Sequence, residues 1–209
     1  MSSTGRGSDR KAFDFYSTPA WCVQRLVDRI RLPGDPHGYW LEPCAGNGAI
    51  PMAMSPRRWV LNEIRESERC TLESLGLGPV TIGDYGNLDT GDLKISAIIT
   101  NPPFSIAFDL LQWCLEKYPT AILILLQRLN FIGSQKRFAE FSRRMPDIYV
   151  LPNRPAFGGM AGKTDSIEYA WFVWWPGLRS GNGGIQLLDL TTKEERQRDT
   201  KQLDLLGGK

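Results

Sequence analysis

Asn101-Pro102-Pro103-Phe104 follows directly on the apolar run Ile95-Ser96-Ala97-Ile98-Ile99-Thr100, which places a corner rich in acceptors at the end of a predicted strand. Asn101 offers a side-chain carbonyl and Pro102 a main-chain carbonyl, two oxygens for one NH2 group. The prolines remove competing N–H donors and stiffen the bend. Phe104 adds a flat, apolar surface for the ring that carries the amine. The chemistry that suits this corner is methylation of a planar nitrogen, with Asn101, Pro102, Pro103 and Phe104 as candidate catalytic residues. A ring amine is a weak nucleophile because its lone pair is delocalised. Two fixed acceptors whose bonds strengthen as positive charge develops favour the transition state over the ground state.

Three further features recur at regular intervals before that corner. Glu42-Pro43-Cys44-Ala45-Gly46-Asn47-Gly48 is a small-residue turn after a predicted strand, the place where open α/β sheets hold their ligands. Gly46 and Gly48 let a ligand approach the main chain, although a lone G-x-G equally describes an ordinary tight turn. Glu63, at the end of a second strand, can accept hydrogen bonds from both hydroxyls of a ribose, and Asp84, after a third, can bind an adenine amino group. Taken singly, each acid is also read as a solvated strand-end carboxylate. The order of the acids matches the order of the strands. No G-x-x-x-x-G-K-[ST] occurs, which disfavours a phosphate-cradling P-loop.

The elements that must position these residues alternate between helix and strand. Trp21, Val23, Leu26, Val27 and Ile30 have the spacing of a buried helix face, with Thr18 placed to cap it, Pro19 at the first helical position and Pro33-Gly34-Asp35-Pro36 ending it. Strands are expected at Tyr39–Glu42, Trp59–Ile64, Val80–Ile82 and up to Thr100, with helical stretches at Ala49–Met54, Ser67–Leu75 and Phe108–Tyr118. Thr120–Leu126 suits a central strand, and Phe131–Met145 suits a basic helix next to a loop. Asp147–Leu151 and Tyr169–Trp175 read as a final pair of strands, with a flexible stretch around 155–163 between them. The pattern predicts a parallel sheet covered by helices.

Composition bounds the rest. At 209 residues and 42% hydrophobic content the chain fills one core, read as a disordered start (1–11), one domain (12–190) and a polar tail (191–209). No run is long and apolar enough for a membrane span, and the polar start lacks the core of a secretion signal, so a soluble, cytoplasmic protein is expected. Cys22, Cys44, Cys70 and Cys114 form no C-x-x-C pair and His37 is the lone histidine, so no metal site is expected and reduced thiols are the plain reading. A net charge of only +2 excludes a polycation that coats duplex DNA by electrostatics alone, and any nucleic-acid surface must be local. The segment Arg128 to Arg144 is the candidate for such contact, with a solvated helix face as the plainer alternative.

The chain resembles the class I S-adenosylmethionine-dependent methyltransferases, and among them the phage-type DNA adenine-N6 enzymes. The resemblance runs from Asp14 to about Trp175. It is carried in order by Asp14-Phe15-Tyr16-Ser17-Thr18-Pro19, Leu41-Glu42-Pro43-Cys44-Ala45-Gly46-Asn47-Gly48 and Asn101-Pro102-Pro103-Phe104. It implies a Rossmann-like α/β fold with a mostly parallel seven-stranded sheet, an antiparallel edge strand and helices on both faces. It implies S-adenosyl-L-methionine as cofactor, with Tyr16, Thr18 and Pro19 closing over its methionine part and Thr18 near the carboxylate. Glu42, Cys44, Ala45, Gly46, Asn47 and Gly48 would line the methionine and sulfonium, and Glu63 the ribose. Ile64 would lie against the adenine, Asp84 and Tyr85 at its edge, and Asn101 beside the methyl group.

The implied partner is nucleic acid, most of all DNA, with the target adenine flipped out or single-stranded. Phe104, Arg128, Asn130 and Phe157 would then bind the substrate. Little chain is left for a target-recognition domain, so sequence specificity is expected to be short or relaxed. Guanine-N2 methylation of RNA, glutamine-N5 methylation of protein, cytosine-N4 methylation and a non-catalytic scaffold of the same fold stay open as alternatives.

Overall fold

The computed structural model describes residues 17–32, 38–54, 57–157, 166–177 and 184–198. Tyr16, the expected 1–11 tail, the turn at 33–36, most of the loop at 155–163 and residues 199–209 lie outside the described residues.

Among the described residues, eight strands form one sheet. They are β1 (Tyr39–Glu42), β2 (Trp59–Glu63), β3 (Val80–Ile82), β4 (Ile95–Thr100), β5 (Ile122–Arg128), β6 (Asp147–Leu151), β7 (Tyr169–Trp174) and β8 (Ile185–Leu187). Their order across the sheet is β3-β2-β1-β4-β5-β7-β6-β8. β3, β2, β1, β4 and β5 run parallel, and β7 alone is reversed, antiparallel to both β5 and β6. The fold class is the one expected, with two differences in detail. The reversed strand lies inside the far end of the sheet, and an eighth strand, β8, adds to it by pairing parallel with β6. Ile185-Gln186-Leu187 has only three residues among glycines and polar groups, too short to show a period. The Asp147 carboxylate holds it in place by accepting the Gly184 N–H at 2.9 Å.

Helices α1 (Ala20–Arg29), α2 (Ala49–Ala53), α3 (Arg69–Ser74), α4 (Ala107–Lys117) and α5 (Phe138–Arg143) cover both faces. On one face Trp21, Val23 and Leu26 of α1, Ile50 of α2 and Leu72 of α3 pack with Trp40, Trp59, Ile124, Leu126 and Trp171. On the other, Ala107, Leu110, Leu111 and Cys114 of α4 and Phe141 of α5 pack with Leu41, Ile98, Leu123, Leu125 and Phe172. Burial on both faces explains why β5 reads Ile-Leu-Ile-Leu-Leu without alternation. The Trp171 indole donates to the Cys22 carbonyl at 2.8 Å and ties α1 to the middle of the sheet.

The run expected as a polar tail from 191 begins with structure. Residues 193–198 are helical, Arg25 pairs with Glu195 at 2.7 Å, and the buried Thr191 receives an Arg25 bond at 3.2 Å. At the other end of α1 the capping expectation is not met: Pro19 is the N-cap residue and no side chain caps the helix.

The link from α3 to β3 is held close to β2, where the Trp59 N–H donates to the Leu77 carbonyl at 3.1 Å. A Cβ on Gly78 would lie 2.0 Å from the Trp59 carbonyl oxygen, whereas Gly76, at φ +63°, faces open space. Gly78→Ala should therefore destabilise the protein by about 2–4 kcal/mol in urea unfolding, because backbone must move. Gly76→Ala should cost only about 1 kcal/mol, the strain of a left-handed alanine.

Candidate active site

Parallel strands must end along one edge of their sheet. The order β2-β1-β4 reverses direction of progression at β1 and β4, so their following loops diverge and leave a crevice. A cavity of about 440 Å³ opens there. Its wall combines Ser17 and Thr18, the stretch Glu42–Asn47, Asn62–Arg65, Gly83–Tyr85, and Asn101, Pro103, Ser105 and Ile106.

The β1 turn is shaped by its glycines. Gly46 at φ 57° turns its N–H onto Glu63 Oε2 at 2.7 Å. Gly48, at φ +80°, does not line the cavity; a Cβ there would meet Leu75 Cδ1 at 2.4 Å, so this glycine serves the packing of α3. Ser17 donates to Asn47 Oδ1 at 3.2 Å and joins the segment before α1 to the turn.

Glu63 is buried, and both its oxygens already accept protein donors: Oε2 from Gly46, and Oε1 from the Arg65 N–H at 3.1 Å and Arg65 Nε at 2.8 Å. A carboxylate has about four lone-pair sites, so the acceptor capacity for hydroxyls is reduced and directed rather than lost. Asp84 stands exposed at the rim, with Oδ1 accepting the Gly86 N–H at 2.7 Å. Tyr85 packs edge-on against Trp113 at 5.3 Å. Ile64, 49% exposed, presents an apolar side chain to the cavity.

Glu42 is 2% exposed and its Oε2 receives no hydrogen bond. Burial first, and then the charge of Glu63, pushes its carboxyl well above the usual range, which favours the protonated form. Cys44 lines the same wall; burial, Glu63 and Glu42 push its thiol up, which keeps it from acting as a thiolate nucleophile. Among the described residues no group of three His, Cys, Asp or Glu side chains is placed to hold a metal.

At the β4 end, Asn101 lines the cavity and its Nδ2 donates to Thr18 Oγ1 at 3.1 Å. The hydroxyl expected to cap α1 is thus turned to the Asn101 corner. Among the described residues no donor reaches Asn101 Oδ1. Pro102 is buried behind the corner, and its carbonyl accepts Gln127 Nε2 at 3.2 Å. Pro19 is buried at the start of α1, away from the cavity wall.

Phe104 lies outside the cavity, within an aromatic cluster. The Arg128 guanidinium sits 3.9 Å from its ring centre, Tyr169 lies 6.1 Å away, and Phe157 meets Tyr169 edge-on at 4.9 Å. Asn130 is exposed on the turn after β5, at the same end of the sheet. The structure therefore gathers Phe104, Arg128 and Phe157 around Tyr169, with Asn130 alongside in sequence only. The basic segment beyond is largely engaged: the Arg137 guanidinium lies on Phe131, and Arg143 and Arg144 pair with Glu140 at 3.9 and 3.7 Å.

Three functional positions escaped the sequence analysis. Asn62, buried within β2, donates to the Pro43 carbonyl at 3.0 Å and the Gly83 carbonyl at 3.1 Å, clamping two loops together. Gln127 is buried in an apolar strand, and Tyr169 opens β7 opposite Arg128. A polar residue at an expected buried strand position was the available signal for the first two.

No family model and no curated protein matches this chain. Solved structures do resemble it. A Listeria monocytogenes protein assigned to the class I S-adenosylmethionine-dependent methyltransferases is 10% identical with a TM-score of 0.54, over 90% of this chain and 68% of that one. A Pyrococcus horikoshii protein assigned as an RNA methyltransferase is 14% identical with a TM-score of 0.55, over 84% of this chain and 94% of that one. The M protein of the type I restriction enzyme EcoKI is 14% identical with a TM-score of 0.56, over 77% of this chain and 44% of that one. At these identities the likeness establishes the Rossmann-like methyltransferase fold.

The state of Glu42 has a consequence for stability. Its native carboxyl titrates above the unfolded value of about 4.3, so its favourable contribution is complete below that pH and is lost as pH rises toward the native value. Glu42→Gln cannot ionise. Its thermal midpoint should exceed that of the ligand-free wild type by a margin that widens as pH rises above about 4.3, the unfolded carboxyl value. A margin independent of pH would mean that Glu42 is ionised throughout.

Proposed function

We propose that this chain transfers a methyl group from S-adenosyl-L-methionine to the exocyclic N6 amine of adenine in DNA. The observation that carries the reading is Asn101: it faces the cavity with its amide nitrogen bonded to Thr18 and, among the described residues, no donor to its Oδ1.

The cavity fits the cofactor on its own chemistry. A buried, unpartnered Glu42 oxygen calls for a donor, and Glu63 and Asp84 add acidic groups along the same wall. A ligand with cationic groups and a ribose answers both needs. Glu42 and the turn from Cys44 to Asn47 would hold the methionine part. Glu63 would hold the ribose, Ile64 the adenine face, and Asp84 with Tyr85 the adenine edge. S-adenosyl-L-methionine supplies a methyl group already activated by its sulfonium.

The protein's part is acceptance and aim. Asn101 Oδ1 and the Pro102 carbonyl accept the two N–H bonds of the target amine and draw its nitrogen toward tetrahedral geometry. These bonds strengthen as positive charge develops on nitrogen, while the surplus proton leaves to solvent. A nitrogen–carbon bond forms as a sulfur–carbon bond breaks, so no protein nucleophile is required and the neutral Cys44 thiol is a bystander. Phe104, with Tyr169 and Phe157 behind it, offers the surface on which a flipped or single-stranded base would rest.

A second reading keeps the site and changes the polymer to RNA, favoured by the likeness to the Pyrococcus horikoshii protein. Labelled cofactor offered with separate pools of duplex DNA, single-stranded DNA, RNA and protein decides between them. N6-methyldeoxyadenosine in DNA is expected, a methylated purine in RNA would support the second reading, and methyl transfer to neither nucleic acid would overturn both.

Asn101→Ala should lower methyl transfer by about a hundredfold or more, the usual loss for one transition-state contact, while calorimetry finds cofactor affinity nearly unchanged. Asp84→Ala should instead weaken cofactor binding by roughly tenfold, the loss of one hydrogen bond to a charged group. Unchanged binding in the latter would remove Asp84 from the adenine edge.

A further inference from the structure

Both acceptors that the proposed reaction needs are backed by a buried polar side chain from another part of the chain. Thr18 is 4% exposed and Gln127 is 1% exposed. Thr18 stands before α1 and accepts from Asn101 Nδ2 at 3.1 Å; Gln127, near the end of β5, donates to the Pro102 carbonyl at 3.2 Å. Neither residue is needed to complete a hydrophobic layer. A glutamine directly after the run Ile122–Leu126, in a strand buried on both faces, is unfavourable by about 1–3 kcal/mol unless its amide is satisfied.

The chemistry of an asparagine amide makes its sense of rotation decisive. A half turn about Cβ–Cγ exchanges Oδ1 for Nδ2 at nearly the same position, and would present a donor to the donor it must hold. A threonine hydroxyl can accept or donate, so it would hold the amide in either sense; here it accepts from Nδ2, which holds Oδ1 in the productive one. The Pro102 carbonyl has two lone-pair directions. Gln127 fills one of them from the sheet side, so the target N–H approaches along the other.

We propose that Thr18 and Gln127 are positioning residues that set the direction of the two amine acceptors, Asn101 Oδ1 and the Pro102 carbonyl. The inference rests on the amine-methylation reading above and gives Thr18 a task different from contact with the cofactor carboxylate.

The test compares Thr18→Val, which keeps the shape and loses the hydroxyl, with Thr18→Ser, which keeps the hydroxyl. Methyl transfer to the nucleic-acid pool that the wild type modifies and calorimetric binding of S-adenosyl-L-methionine are both measured. Thr18→Val should lower kcat by roughly ten- to a hundredfold with the cofactor Kd within about twofold, as expected for a misaimed reacting group. Thr18→Ser should recover kcat to within about threefold of the wild type, because the acceptor is restored. Gln127→Met, which fills the same space without a donor, should show the same split between kcat and Kd if it folds; Thr18→Val decides the matter if it does not.

Equal kcat in Thr18→Val and the wild type, equal losses in the valine and serine variants, or a loss confined to cofactor Kd would overturn the inference while leaving the proposed function standing. A wild-type protein that binds the cofactor and methylates no pool would overturn the proposed function, and the inference with it.

Discussion

Two carbonyls from separate loops, those of Pro43 and Gly83, converge on the single side-chain amide of Asn62. That clamp is the constraint on which the cavity depends. The loops after β1 and β3 belong to strands separated by β2, and nothing in a parallel ladder fixes how far such loops splay once they leave the sheet. Asn62 fixes it from beneath, and the Gly46 N–H to Glu63 bond repeats the connection one residue on. With both turns tied to β2, the wall that would hold a nucleoside is formed before any ligand arrives, which spares the binding step the cost of ordering it.

The electrostatics follow from that rigidity. Glu42 and Glu63 face a common wall, and burial favours the protonated form of Glu42 while Arg65 pairs with Glu63 at 2.8 Å. One acid is compensated by a partner in the chain, and the other by keeping its proton. A cation entering beside Glu42 favours its ionised form, so its arrival and the departure of that proton are coupled. The site thus stores an acceptor that becomes fully effective only when positive charge is present.

The main outline was legible because it rests on patterns with a short period. Strand, turn and acid repeat at the ends of β1, β2 and β3, the β4 corner is a contiguous motif, and β5 and α4 have the burial patterns their sequences announce. What escaped depends on contacts distant in sequence. Thr18 precedes a proline and a helix face, which is the local signature of a cap; its partner Asn101 is 83 residues away, and only the folded crevice brings them together. Asn62 and Gln127 sit inside buried strands, where local reading assigns packing. β8 depends on the Asp147 carboxylate for its place, and the basic residues from Arg137 to Arg144 are partly engaged by Phe131 and Glu140, neither of which a charge count reveals.

The bond from the Trp171 indole to the Cys22 carbonyl also limits how the crevice can open. It anchors the first turn of α1 to a strand buried on both faces, so the helix cannot slide along the sheet as a piston. Pro19, buried at the N-cap with its φ restricted by the ring, stands three residues before that anchor. Any displacement of Ser17 and Thr18 would then be taken up in backbone rotations before Pro19, because the Thr18–Pro19 peptide itself is planar. It would also have to break the Ser17 bond to Asn47 and the Asn101 bond to Thr18, which hold this end of the crevice to its floor.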